Sequence, residues 1–178
     1  GVGDNTTLDA LSPVEPVGLG AVRSITPRDA ATCAVQTTGD VYCWGDNAYG
    51  QLGIGTIGGM ALTSTRVTTA SGFLGGADEV GLGIEHGCAR LGSEVWCWGS
   101  NTVGQLGTGT VDAGRPIAAR VAGLLAVTRL AVGAYTTCAI DAGDNVYCWG
   151  AGDNGELGNG TKNATQAQPA LSFTAACD

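Results

Sequence analysis

The sequence predicts an all-β chain built from similar antiparallel units. Three observations carry that prediction: one motif recurs three times, glycine is far above its usual share, and every copy of the motif sets two cysteines across a hairpin. Residues 33–56 read CAVQTTGDVYCWGDNAYGQLGIGT, residues 88–110 read CARLGSEVWCWGSNTVGQLGTGT, and residues 138–161 read CAIDAGDNVYCWGAGDNGELGNGT. The first and third agree at 12 of 24 positions without a gap. Cys-Trp-Gly begins at Cys43, Cys97 and Cys148, so the copies lie 54 and 51 residues apart. That spacing fits a β-propeller blade of four antiparallel strands, whereas leucine-rich, ankyrin and tetratricopeptide arrays repeat at roughly 20–35 residues. Glycine makes up 31 of 178 residues, more than twice the usual share of about 7%. The glycines follow no every-third spacing, so they belong to turns.

Taken in order, residues 1–32 read as a partial flank with outer strands. The cores 33–56, 88–110 and 138–161 each read as a hairpin followed by a glycine-rich turn. In the first, Cys33–Val35 and Val41–Trp44 are β-prone runs about a turn at Thr37–Gly39. Setting Cys33 opposite Cys43 leaves a three-residue loop. In the second the cysteines are one residue closer. Cys88 opposite Cys97 leaves the two-residue loop Gly92-Ser93, a type II′ signature. Cys138 opposite Cys148 leaves Ala142–Asp144, again three residues. Residues 57–87 and 111–137 read as inter-repeat strands and loops, and residues 162–178 as a second partial flank.

Directly opposed cysteines in an antiparallel pair lie within disulfide range. The expected disulfides are therefore Cys33–Cys43, Cys88–Cys97 and Cys138–Cys148, with reduced core cysteines as the alternative. Closing so short a loop stabilises by roughly 2–3 kcal/mol in the chain-entropy description. Cys177 is left over, and is free, bonded to another chain, or bonded to a further segment. Tyr42, Trp96 and Tyr147 precede the second cysteine of each pair, and Trp44, Trp98 and Trp149 follow it. Period two puts each aromatic pair on the strand face opposite its cysteine. Their recurrence assigns them to packing between neighbouring blades.

The motif CWGxNxxGQLGxGT, recurring about every 51 residues, resembles the regulator-of-chromosome-condensation repeat. The resemblance covers residues 33–161. It extends backward, where Gly1-Val-Gly looks like the end of a GxG turn and Val17–Thr32 aligns with Val121–Thr137. It extends forward, where Gln166–Phe173 looks like the first outer strand of another unit. The resemblance implies a β-propeller of four-stranded blades, commonly seven in a ring. Here it amounts to about three blades plus partial flanks, a partial ring or one completed by another chain. The paired cysteines resemble the secreted branch of that family, which implies a secreted, extracellular or cell-surface location.

Net charge is −8 and the pI about 4.4. An acidic chain with eight Lys and Arg offers little to a phosphate backbone, so nucleic-acid binding is not expected. The apolar run near Val121–Val132 is broken by Arg129 and too short to span a bilayer. Absent a basic n-region, any signal peptide is expected to have been removed already. Asn5, Asn159 and Asn163 begin glycosylation sequons. Neither metal-ligand spacing nor a phosphate-loop Gly-Lys-Ser/Thr occurs, so no cofactor is expected. The one histidine, His86, occupies the repeat slot held by Ala31 and Thr136, which makes it a structural residue and the chain a non-enzyme. The expected function is protein or surface-ligand binding. The longer inter-repeat stretch Ile57–Glu85 carries Met60, Phe73 and Leu74 as the candidate partner surface, Phe73 and Leu74 also fitting an outer strand. The alternatives are a subunit that self-assembles into a ring or filament, and a secreted inhibitor resembling in fold the propeller-type β-lactamase inhibitory protein.

Overall fold

The computed structural model describes residues 2–8, 10–162 and 165–174. Among them are fourteen strands and no helix. The first blade runs β1 (Val22–Arg28), β2 (Ala31–Gln36), β3 (Val41–Asp46), β4 (Met60–Arg66), in that order across the sheet. A short hairpin follows, β5 (Thr68–Thr69) with β6 (Gly72–Phe73). The second blade is β7 (Glu79–Leu82), β8 (His86–Leu91), β9 (Glu94–Asn101) and β10 (Asp112–Arg120). The β5–β6 hairpin lies outside β10 and extends this sheet to six strands. The third blade is β11 (Val127–Val132), β12 (Thr136–Asp141), β13 (Val146–Gly150) and β14 (Gln166–Phe173). β7 packs beside both β1 and β11, so the three sheets stack through their first strands.

The hairpin registers follow from loop length. Cys33 faces Cys43, Cys88 faces Cys97 and Cys138 faces Cys148. Each pair is a disulfide with Cα atoms 4.1 Å apart. The two-residue loop has Gly92 at φ 56°, as a type II′ turn needs at its first central position. Each triplet glycine is dictated by a close approach. Gly45, Gly99 and Gly150 have φ of 100°, 97° and 107°. A Cβ there would come within 2.2, 2.4 and 2.3 Å of the carbonyl oxygens of Ala30, Glu85 and Tyr135.

Two apolar cores lie between the blades. One joins Cys33, Val35, Val41 and Cys43 of the first blade to Val80, Leu82, Ala89 and Trp98 of the second. The other joins Cys88, Val95 and Cys97 of the second to Val127, Ala139 and Trp149 of the third. Each blade therefore presents its disulfide face forward and its tryptophan face backward.

Two sequence expectations change. Gln166–Phe173 is not the first outer strand of another unit. It pairs with β13, Cys148 facing Ala170 and Tyr147 facing Leu171, and completes the third blade. Gly3 opens the initial turn, Gly3–Asp4–Asn5, and does not end one. Asn5 donates its N–H to Leu62 O at 2.9 Å, as Gly55 does to Pro116 O and Gly109 to Ala167 O. Asn5 sits at φ 67° where the other turns use glycine, because asparagine tolerates the left-handed region. Gly1, Asn163 and Cys177 lie outside the described residues.

Gly99→Ala is expected to lower stability by at least about 3 kcal/mol, since strain and a backbone clash act together. Gly92→Ala, with nothing within 4 Å of its Cβ, is expected to cost only about 1 kcal/mol. Urea unfolding of both variants checks the contrast.

Candidate functional site

The seams are built from the repeated turn. Asn47 Oδ1 accepts the Leu52 N–H at 3.1 Å, and its Nδ2 donates to Thr56 O at 3.0 Å. Asn101 makes the same bonds to Leu106 N and Thr110 O, at 3.1 and 2.9 Å. The third turn has Gly152 in this slot and lacks both bonds. Gln51 and Gln105 each accept a backbone N–H two residues earlier, and Glu156 does the same. The turns thus aim carbonyls at the next blade. Trp98 donates its indole N–H to Gln51 O at 2.8 Å, and Trp149 to Gln105 O at 3.0 Å. Trp98 and Trp149 are fully buried, and Trp44 almost so, beside Gly3 and Pro16. Tyr42, Trp96 and Tyr147 remain half-exposed near the outer rim.

His86 lies in the second seam. It is fully buried, and its Nε2 lies 3.0 Å from Thr137 Oγ1 of the third blade. Thr137 gives its own proton to Gln105 O at 3.1 Å. The imidazole therefore donates through Nε2–H and is neutral, with Nδ1 buried and unpartnered. Burial, reinforced by the Arg28 charge, lowers its pKa to about 3. A ring so enclosed has no access to a substrate.

The candidate partner surface does not converge. Met60 and Phe73 are 62% and 59% exposed, but Leu74 is only 2% exposed and belongs to the first core. The sequence expectation of a surface Leu74 is therefore corrected. The alternation of the chain after Phe73 turns it inward, where its N–H bonds Val67 O at 2.9 Å. Met60 opens β4, whereas Phe73 covers Arg66 at the other end of that strand. The Arg66 guanidinium lies 4.4 Å from the Phe73 ring centroid and 6.0 Å from that of Tyr42. Asp40 holds it at 2.5 Å.

The second blade repeats part of this cluster. Arg120 is the register partner of Trp96 as Arg66 is of Tyr42. Glu94 holds Arg120 at 2.9 Å and accepts the Trp96 indole N–H at 3.1 Å. Trp96 and Arg120 border a cavity of about 480 Å³ walled by β10 and the β5–β6 hairpin. Asp112 at its rim is tied into its own turn by Thr110, Asn101 and Gly114, which lower its pKa. Sequence reasoning missed this site. The available signal was an acid two residues before an aromatic, with an arginine 24 residues after it, in both repeats. Among the described residues no group of three potential metal ligands occurs. Nor, among them, is any helix long and apolar enough to cross a membrane.

Two sequence profiles match the chain, both described as Regulator of chromosome condensation (RCC1) repeat. One covers residues 29–51 and 127–156, the other 93–140 and 144–173. The Ultraviolet-B receptor UVR8 of Arabidopsis thaliana is 29% identical over 164 residues, which are 90% of this chain and 36% of the receptor. The E3 ubiquitin-protein ligase HERC2 of Homo sapiens is 31% identical over 139 residues, 74% of this chain and 3% of the ligase. Among solved structures, Prp20p of Saccharomyces cerevisiae, described with its binding properties to Gsp1p and histones, aligns with a TM-score of 0.76 at 18% identity. That alignment covers 91% of this chain and 40% of Prp20p. The chain therefore spans little more than a third of the receptor's length.

His86 should impose a pH dependence on folding. Between its unfolded pKa near 6.5 and its folded value of about 3, the unfolded chain binds a proton that the folded chain does not. Stability is then lost as pH falls through that window, by roughly 1.4 kcal/mol per pH unit. His86→Thr, which places the side chain of Thr136 in the same slot, should flatten this slope. Urea unfolding of both proteins at pH 7 and pH 4 measures it.

Proposed function

The chain belongs to the regulator-of-chromosome-condensation repeat family, and from that premise we propose that it is a non-enzymatic, extracellular protein-binding module. One observation carries the reading. The departure from the repeat is concentrated in an exposed element, the β5–β6 hairpin. It inserts four residues relative to the linker after β10 and places Phe73 at the rim. Variable, exposed segments on a rigid frame are where binding residues concentrate. The protein-binding character of Prp20p supports the same reading. The neutral, enclosed His86 supports binding over acid–base catalysis. Three disulfides support an oxidising compartment. Inhibition of an enzyme would be one form of this binding.

A second reading, self-assembly, has its own observation. On the first two blades the disulfide face is covered by the next blade. On the third, Ile140 and Val146 remain half-exposed and Phe173 is 58% exposed, around a groove of about 320 Å³. A mass that rises with concentration in light scattering would favour that reading.

The binding reading is tested by selecting ligands for the oxidised chain from a displayed random-peptide library. Saturable binders are expected, with affinity reduced about tenfold or more by a substitution in the hairpin or on the adjoining rim. Failure to select any saturable binder, or binders indifferent to every rim substitution, would sink the reading.

A further inference from the structure

The outer rim of the second blade holds, unfilled, a cluster that the first blade holds filled. In the first blade an arginine held by an acid lies against two rings: Arg66 with Asp40, Tyr42 and Phe73. In the second blade Arg120, Glu94 and Trp96 repeat the acid, the arginine and one ring. The other ring is missing. The residue before the buried leucine of the linker is Phe73 before Leu74, but Gly123 before Leu124. Gly123 brings no ring to Arg120, and nothing lies within 4 Å of a Cβ placed there. The Arg120 side chain is 56% exposed and borders the cavity of about 480 Å³. Its lining is mainly apolar, with Ile117 and Ala118 beside Trp96, and Arg115 as a second cation. Arg115 takes part in no ion pair among those of the described residues. Asp112, the one carboxylate of the lining, is already engaged by three donors. The guanidinium groups of Arg115 and of Arg120, the latter paired with Glu94, therefore border the cavity in a chain whose net charge is −8.

We propose that this cavity receives an aromatic side chain of a partner protein, flanked by an acidic residue. The ring packs on Trp96 and Ile117 and lies over the Arg120 guanidinium, as Phe73 lies over Arg66. The neighbouring carboxylate pairs with Arg115. A guanidinium over a ring is favourable, and more so where the site is partly desolvated. The volume suits one large side chain and its flanking backbone. This inference rests on the protein-binding reading and makes it specific: it names the pocket and the chemistry of its occupant.

The probe is the peptide acetyl-Glu-Phe-Glu-amide, with acetyl-Glu-Leu-Glu-amide as its control. The readout is the Trp96 indole N–H resonance, assigned by its loss in Trp96→Phe. A saturable shift is expected with the phenylalanine peptide, weakened about fivefold with leucine and about tenfold in Arg120→Ala. Arg115→Ala should weaken both peptides by a similar factor. Arg120 and Glu94 form an exposed pair of small energetic worth, so Arg120→Ala is expected to fold; an otherwise unchanged spectrum checks this. Absence of a saturable shift up to about 10 mM peptide would overturn the inference. So would equal affinity for the two peptides, or for the parent and Arg120→Ala. Library binders that map to the hairpin or to Met60, and leave Trp96 undisturbed, would leave the binding reading standing and reject this pocket.

Discussion

Everything in this structure depends on one contact, made at Trp44 and repeated between successive blades at Trp98 and Trp149: an indole laid across the glycine of the preceding turn. A Cβ at Gly53 would lie 2.7 Å from Trp98, and one at Gly107 would lie 2.8 Å from Trp149. The indole N–H bonds a turn carbonyl, but that bond contributes only about 1 kcal/mol net. Burial contributes more. An indole hides roughly 150–250 Å², worth about 4–6 kcal/mol before the cost of ordering the ring. The glycine makes this possible, because any side chain there would hold the blades apart. A disulfide contributes a comparable or smaller amount, roughly 2–3 kcal/mol for such short loops, and acts within one blade. The disulfides therefore hold each hairpin, while the tryptophans hold the hairpins together.

The polar residues of the seam are consistent with this division. Gln105 O accepts from both Trp149 and Thr137, and Thr137 accepts from His86. Each buried donor in that chain finds a partner. The imidazole nitrogen left over is an acceptor, Nδ1. The network is satisfied only while His86 is neutral, since the imidazolium would bury an unpaired charge. The face proposed for binding lies elsewhere, at the outer rim, where the second sheet is extended by the hairpin and the arginine–aromatic pairs reach solvent.

Much of the fold was legible because it rests on local rules. Loop lengths of three, two and three residues set the hairpin registers, so the cysteine pairs could be read from spacing alone. Composition and the recurring motif named the turns. Other features were not legible, because they depend on which strand a segment pairs with. Gln166–Phe173 has the same pattern whether it closes one blade or opens the next; only its ladder with β13 decides. Leu74 and Phe73 are adjacent and both apolar, yet one is buried and the other exposed. The Val67–Leu74 backbone bond made that choice. Asn5 stands in for a turn glycine, which a glycine-based motif does not register.

The sequence by itself determined the all-β class, the three repeats, the positions of their hairpins and which cysteines face one another. These follow from residue type, from spacing within each hairpin, and from the recurrence of one motif at 54 and 51 residues. The tertiary structure alone decided the order in which blade faces meet, the enclosure of His86, and the side of the sheet on which the inserted hairpin lies. It alone brought Trp96, Arg115 and Arg120 around one cavity. Those arrangements join residues far apart in the chain through packing between sheets. Packing is set by the complementary shapes of two faces, a property that no local pattern encodes.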